Sequence, residues 1–182
     1  MNICVFCGSA KGENPVFAQE ARELGKLLAK SSHSLIYGGG NVGLMGIVAD
    51  AVMEHNGEVI GIIPDFLMQR EVGHHGLSRL EVVESMHIRK KRMADLSDAF
   101  IAIPGGWGTL DELAEILTWR SLGLIHQPIG LLNIDHFFDP LLDQMRSMVK
   151  NGFLKASNLE LLLVETSTEK LLYQFDKTFS AR

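Results

Sequence analysis

The residues best suited to chemistry in this chain sit around two glycine-dense segments, YGGGNVGLMG at 37–46 and PGGWGT at 104–109. Gly38, Gly39, Gly40, Gly43 and Gly46 fall in the first and Gly105, Gly106 and Gly108 in the second, eight of the chain's 18 glycines. Each segment directly follows a short apolar run and directly precedes an amphipathic one, so each reads as a strand-to-helix turn. Such a turn exposes backbone N–H groups and aims a helix N-terminus at whatever lies in front of it. That makes a site for an anion, most often a phosphate. A third, smaller turn, Gly8-Ser9-Ala10-Lys11-Gly12, follows the first apolar run. Three such turns on one sheet edge suit a nucleotide-sized ligand. Tight turns also need glycine on steric grounds alone, which accounts for one cluster more easily than for two.

Charged residues adjoin these turns. Arg89-Lys90-Lys91-Arg92 is a basic run on a helix whose apolar stripe passes through Met86, Met93 and Leu96. Arg89 lies on that stripe. A cation on an inward helix face is costly unless it meets an anion, either a bound ligand or an acidic side chain. Thr109-Leu110-Asp111-Glu112 follows the second glycine cluster. Its local reading is a capping box, with Thr109 as N-cap and Glu112 completing it. A carboxylate in that first turn, beside a phosphate-shaped pocket, could equally handle a water or a developing cation. Glu115, one turn on, is the alternative carboxylate.

Several common chemistries are absent. Gly38-x-Gly40-x-x-Gly43 satisfies the dinucleotide fingerprint, but it follows the second strand rather than the first. No acidic ribose partner ends the next strand, because Glu58 begins it. The only Gly-Lys, Gly25-Lys26, continues into Leu27, so no P-loop exists, and neither H-E-x-x-H nor G-x-S-x-G occurs. Cys4 and Cys7 are the only cysteines, and on a strand they point to opposite faces. They read as buried thiols rather than as a redox or metal pair. The seven histidines show no ligand spacing, and His74-His75 reads as loop polarity.

The elements that must carry these residues follow from the alternation of short apolar runs with amphipathic ones. Strands are expected over residues 2–7, 34–37, 58–63, 79–83, 99–103, 128–132 and 161–164. Helices are expected over 15–30, 44–54, 87–96, 110–121, 137–150 and 168–178. Continuous V/I/L/F runs mark strands covered on both faces. The expected fold is therefore α/β, a doubly wound parallel sheet of about seven strands with helices on both faces, in one domain over residues 1–182. The stretch 64–78 reads as a long irregular connection at a strand end, a place where binding groups tend to sit. Trp119, Leu122 and Leu124 are assigned to the core ahead of a subunit surface.

With 182 residues, 46% hydrophobic and 21% charged, the chain has the composition of an ordinary globular protein. Its net charge of −5 argues against a nucleic-acid partner. No apolar run reaches the length of a membrane-spanning helix, and the N-terminus lacks the features of a signal peptide, so the expected compartment is the cytoplasm.

CGSAKG at 7–12, YGGGNVGLMG at 37–46, MHIRK at 86–90 and PGGWGTLDE at 104–112 occur in this order along nearly the whole chain. Together they resemble the LOG family, the cytokinin riboside 5′-monophosphate phosphoribohydrolases. The resemblance implies a Rossmann-like homodimer that cleaves the N-glycosidic bond of AMP-type nucleotides to a free base and ribose 5-phosphate. It implies Arg89 and Glu112 as catalytic residues. It also implies a nucleotide pocket of Ser9, Gly38, Gly39, Gly40, Gly43, Glu71, Met86, Lys90, Gly105, Gly106, Gly108 and Thr109, with no metal or cofactor. The chain departs from the family in one place, with Asp111-Glu112 where Glu-Glu is usual. The family's other label, lysine decarboxylase, finds no lysine here in a pyridoxal phosphate context. A nucleotide- or cofactor-binding carrier without turnover is the second reading. A nicotinamide-dependent oxidoreductase is the third, with no recognisable hydride-transfer site.

Overall fold

The structure, a computed structural model, describes residues 1–71 and 73–180, with the backbone alone at 69–71 and 180. Seven strands form one parallel sheet: β1 (Asn2–Phe6), β2 (Ser34–Tyr37), β3 (Val59–Pro64), β4 (Arg79–Val83), β5 (Ala99–Ala102), β6 (Ile129–Leu132) and β7 (Leu162–Glu165). Their order is β4-β3-β2-β1-β5-β6-β7, and every neighbouring pair is parallel. The chain winds outward from β1 to β4, then returns to β5 on the other side of β1. This is the expected doubly wound sheet.

Eight α-helices lie among the described residues: α1 (Pro15–Lys30), α2 (Gly43–Glu54), α3 (Asp65–Glu71), α4 (Met86–Leu96), α5 (Trp107–Ser121), α6 (Asp139–Lys150), α7 (Ala156–Leu159) and α8 (Thr168–Ser180). Two apolar cores sandwich the sheet. Ile3, Val5 and Cys7 pack with α1, α2 and α8, while Cys4 and Phe6 pack with α4, α5 and α6. The period of two along β1 therefore buries both faces, which is why its sequence is apolar throughout. Cys4 and Cys7 are free, buried and on opposite faces, as the strand geometry requires. Asn14 starts α1, its side-chain oxygen accepting from the Val16 N–H at 3.1 Å with Pro15 next in line. No described helix is long and apolar enough to cross a membrane.

Three expectations are corrected. The stretch 64–78 is not a plain loop, because β3 runs to Pro64 and α3 follows at once, with Asp65 in its first turn favouring the helix N-terminus. His74 is not loose polarity. It is buried, its Nε2 lies 2.9 Å from Asp50 Oδ1, and its Nδ1 accepts from the Gly76 N–H at 3.2 Å. Trp119 packs against the core, but Leu122 and Leu124 are 67% and 68% exposed. The helix ends at Ser121, and Gly123, at φ 72°, turns the chain outward between these two leucines.

Candidate active site

The turns that follow β1 and β5 lead to helices on opposite faces of the sheet, and a crevice opens between them at the strand ends. Backbone hydrogen bonds bind the three glycine turns together there. The Gly8 N–H donates to Pro104 O at 3.0 Å, and the Leu44 N–H donates to Gly8 O at 3.0 Å. Gly43, at φ 62°, lies so close to the Ser9–Ala10 backbone that a Cβ would collide with it.

Ser85 starts α4 by accepting the Ile88 N–H at 3.3 Å, and the helix then directs Arg89 inward. Arg89 is 6% exposed, and its guanidinium rests where a Cβ on Gly38 would stand. The first glycine turn thus makes room for this cation. Arg89 Nη2 lies 3.8 Å from Glu112 Oε1 on α5, and Glu112 is 9% exposed. Arg89 Nη1 donates to Met86 Sδ at 3.7 Å, and its buried Nε has no hydrogen-bond partner among the described residues.

The expected capping box does not form. α5 begins at Trp107 with Gly106 as N-cap and no side-chain cap, so Thr109 is already in the first turn and Glu112 in the second. Helix geometry leaves the N–H groups of Trp107, Gly108 and Thr109 without carbonyl partners in the helix, and they open beside the Arg89–Glu112 pair.

A cavity of about 220 Å³ joins these groups. Of the residues singled out in the sequence, Ser9, Gly38, Met86, Arg89, Gly106, Gly108, Thr109 and Glu112 line it. Gly39, Gly40, Gly43, Gly105 and Lys90 do not. Gly39 packs on Ile63, Gly40 forms a bridge with Gly73, and Gly105 is crowded by Thr109 and faces a neighbouring cavity beside Phe17 and Phe137. The Lys90 ammonium pairs with Asp111 and Glu115 at 3.1 and 3.2 Å. The side chain of Glu71 lies outside the described residues. Gly8, Asp111, Cys7, Met45, Leu67 and Trp107 also line the cavity, and none of them is among the site residues expected from the sequence. Trp107 carries a signal, an aromatic residue inside a glycine turn, and it is 88% exposed.

Burial, followed by the Glu112 carboxylate, raises the thiols of Cys4 and Cys7 above their ordinary range. They stay protonated and are no nucleophiles. A larger cavity of about 640 Å³ lies at the opposite sheet edge, beside Asp98 and Gln127 ahead of β5 and β6. There Lys91 pairs with Asp95 at 2.5 Å and Gln127 bonds Ser97 O at 3.3 Å, so it lacks the buried charges and open helix N–H groups of the smaller one.

Residues 45–175 match the family described as "Possible lysine decarboxylase". The chain is 43% identical to the cytokinin riboside 5′-monophosphate phosphoribohydrolase LOG of Oryza sativa subsp. japonica, over 96% of this chain and 72% of that one. It is 42% identical to LOG3 of Arabidopsis thaliana, a cytokinin riboside 5′-monophosphate phosphoribohydrolase, over 96% and 81%. Among solved structures it is similar in fold to the molybdenum cofactor binding protein of Rippkaea orientalis, with a TM-score of 0.72, 24% identity and coverage of 98% and 96%. The family match over residues 45–175 and the 42–43% identity over 96% of the chain agree: the chain belongs to the LOG family of cytokinin riboside 5′-monophosphate phosphoribohydrolases.

Proposed function

We propose that the chain is a hydrolase that cleaves the N-glycosidic bond of AMP and N6-modified cytokinin nucleotides, releasing the free base and ribose 5-phosphate. The observation that carries this reading is the buried Arg89–Glu112 pair, 3.8 Å apart beside the N-terminus of α5. Breaking a ribosyl–base bond develops positive charge on C1′ and the ring oxygen. The Glu112 carboxylate answers that charge and orients and deprotonates the attacking water. The first-turn N–H groups of α5, with Ser9, hold the 5′-phosphate, so binding energy remote from the bond positions the reacting carbon. Arg89, whose buried Nε has no partner among the described residues, supplies the cation that an anionic substrate completes. The protein acts as a homodimer in this reading, and exposed Trp107, Leu122 and Leu124 supply apolar surface for a second copy.

The test is chromatography of the products after incubation with AMP. The wild type should release adenine and ribose 5-phosphate, and Glu112→Gln should bind AMP yet release none. Intact AMP from the wild type, with isopentenyladenosine monophosphate also untouched, overturns the assignment.

A further inference from the structure

We infer that His74 is a positioning residue for the substrate: clasped to Asp50 on α2, it holds α3, and with it Leu67, in place as one wall of the cavity. The inference rests on the proposed reaction for its kinetic readout only.

α3 is seven residues long, too short to keep its shape in water by itself. Burial does little to fix it, since Asp65 and Phe66 are exposed and Leu67 and Met68 only half-buried. Yet Leu67 lines the cavity that holds Arg89 and Glu112, so this wall must be tied down from its ends. Pro64, the buried last residue of β3, secures one end. Between there and β4, His74 is the only buried side chain among the described residues.

The ties at the other end converge on this residue. The Gly73 N–H reaches back to Met68 O of α3 at 3.3 Å, and Gly73 also bridges Gly40. The His74 N–H donates to Gly39 O at 3.0 Å. The imidazole then adds two directed bonds. Its Nδ1 accepts the Gly76 N–H at 3.2 Å, so the ring proton sits on Nε2 and is donated to Asp50 Oδ1 at 2.9 Å. An apolar side chain could be buried here too, but it would not dictate a direction, whereas a satisfied polar pair selects one arrangement. Neither His74 nor Asp50 lines the cavity, so their effect on substrate passes through α3. The first glycine turn has ties of its own, the Leu44 N–H on Gly8 O and Gly43 pressed on Ser9–Ala10. The Arg89–Glu112 pair beside it therefore keeps its place when the clasp is broken. What falls is the fraction of molecules with the wall in position, and apparent affinity falls with that fraction.

The experiment compares wild type, His74→Ala, His74→Gln, Asp50→Ala and the double variant His74→Ala/Asp50→Ala for kcat and KM with AMP, and for hydrogen exchange without ligand. His74→Ala should raise KM by roughly 10- to 100-fold, with kcat within about threefold of wild type. His74→Gln, whose amide can donate to Asp50 in place of Nε2, should bring KM back to within about threefold. Asp50→Ala should raise KM as His74→Ala does, and the double variant no further, because both break one bond. In His74→Ala the backbone N–H groups of α3 and of residues 73–76 should exchange faster, while those of β1 and α1 exchange as in wild type. An unchanged KM, or a fall in kcat at constant KM, overturns the inference. A raised KM with α3 exchange unmoved makes His74 a substrate ligand and also overturns it. Exchange that quickens in β1 and α1 as much as in α3 reduces His74 to a general stabiliser and does the same. Should His74→Ala not fold, Asp50→Ala decides: raised KM with faster α3 exchange supports the clasp, and neither refutes it. A wild type that releases no base refutes only the proposed reaction, and the exchange pattern then decides the clasp alone.

Discussion

Neutralising both members of the Arg89–Glu112 pair should make the ligand-free protein more stable, not less. The two residues are 6% and 9% exposed and stand 3.8 Å apart. At an effective dielectric of about 20, that separation yields an attraction of roughly 4 kcal/mol. Taking each ion out of water costs several kcal/mol, so the pair recovers less than it loses unless further hydrogen bonds offset the rest. Among the described residues Arg89 lacks them, since its Nε has no partner and its Nη1 finds only a thioether sulfur at 3.7 Å. Arg89→Met with Glu112→Gln removes both charges at similar volume. The double variant should gain about 1–4 kcal/mol, and each kcal/mol raises Tm by about 2–4 °C in a chain of this length. Arg89→Met alone should lose stability, because it removes the cation 3.8 Å from the buried Glu112 carboxylate. Circular dichroism melts of the four proteins close the cycle. AMP at about 100 times its Kd should then stabilise Glu112→Gln by roughly 2.7 kcal/mol and leave the double variant unmoved. A double variant that melts below the wild type without ligand refutes the claim that the free site carries a charge awaiting an anion.

Two further outcomes follow from the same geometry. The thiols of Cys4 and Cys7 are held protonated by burial and by Glu112, so the folded state resists their ionisation while the unfolded chain does not. Stability should therefore be full below the ordinary thiol pKa of about 8.5 and fall above it, by up to about 1.4 kcal/mol per pH unit for each thiol. Denaturant titrations of Cys4→Ala/Cys7→Ala between pH 8 and 11 should show a flatter decline, and an unchanged slope would refute this. Gly108 lies in the first turn of α5 with nothing within 4 Å of where a Cβ would stand. Gly108→Ala should thus stabilise the fold by about 0.5–1 kcal/mol, yet raise KM for AMP, because the methyl takes space at the cavity wall. A raised Tm with unchanged KM would place the phosphate elsewhere.

What the sequence makes legible here is what depends on local periodicity. The alternation along β1 and the apolar stripe of α4 place Cys4, Cys7 and Arg89 on their faces with no knowledge of partners, because strand and helix periods alone decide them. Partners are another matter. Lys90 meets Asp111 across 21 residues of chain, and no local rule pairs them. Glu112 shows how a local rule misleads. Gly106 and Gly108 look like turn, so Thr109 looks like a cap and Glu112 like its partner in a capping box. In the fold Gly108 is helical, the helix starts at Trp107, and Glu112 moves one turn inward, where no cap can use it and Arg89 can.

The glycines divide by the same logic. Packing of the three turns on one another requires Gly43, and Arg89 requires Gly38, because in both places a Cβ has no room. Gly106 and Gly108 have open space on that side and no packing reason to lack a side chain. In the proposed reading, their lack of one lets a ligand approach the first N–H groups of α5. Glycine density alone cannot separate these two demands, since both select the same residue. The fold separates them by showing which glycines of the two dense segments are crowded, and the open pair, Gly106 and Gly108, stands beside the two buried charges.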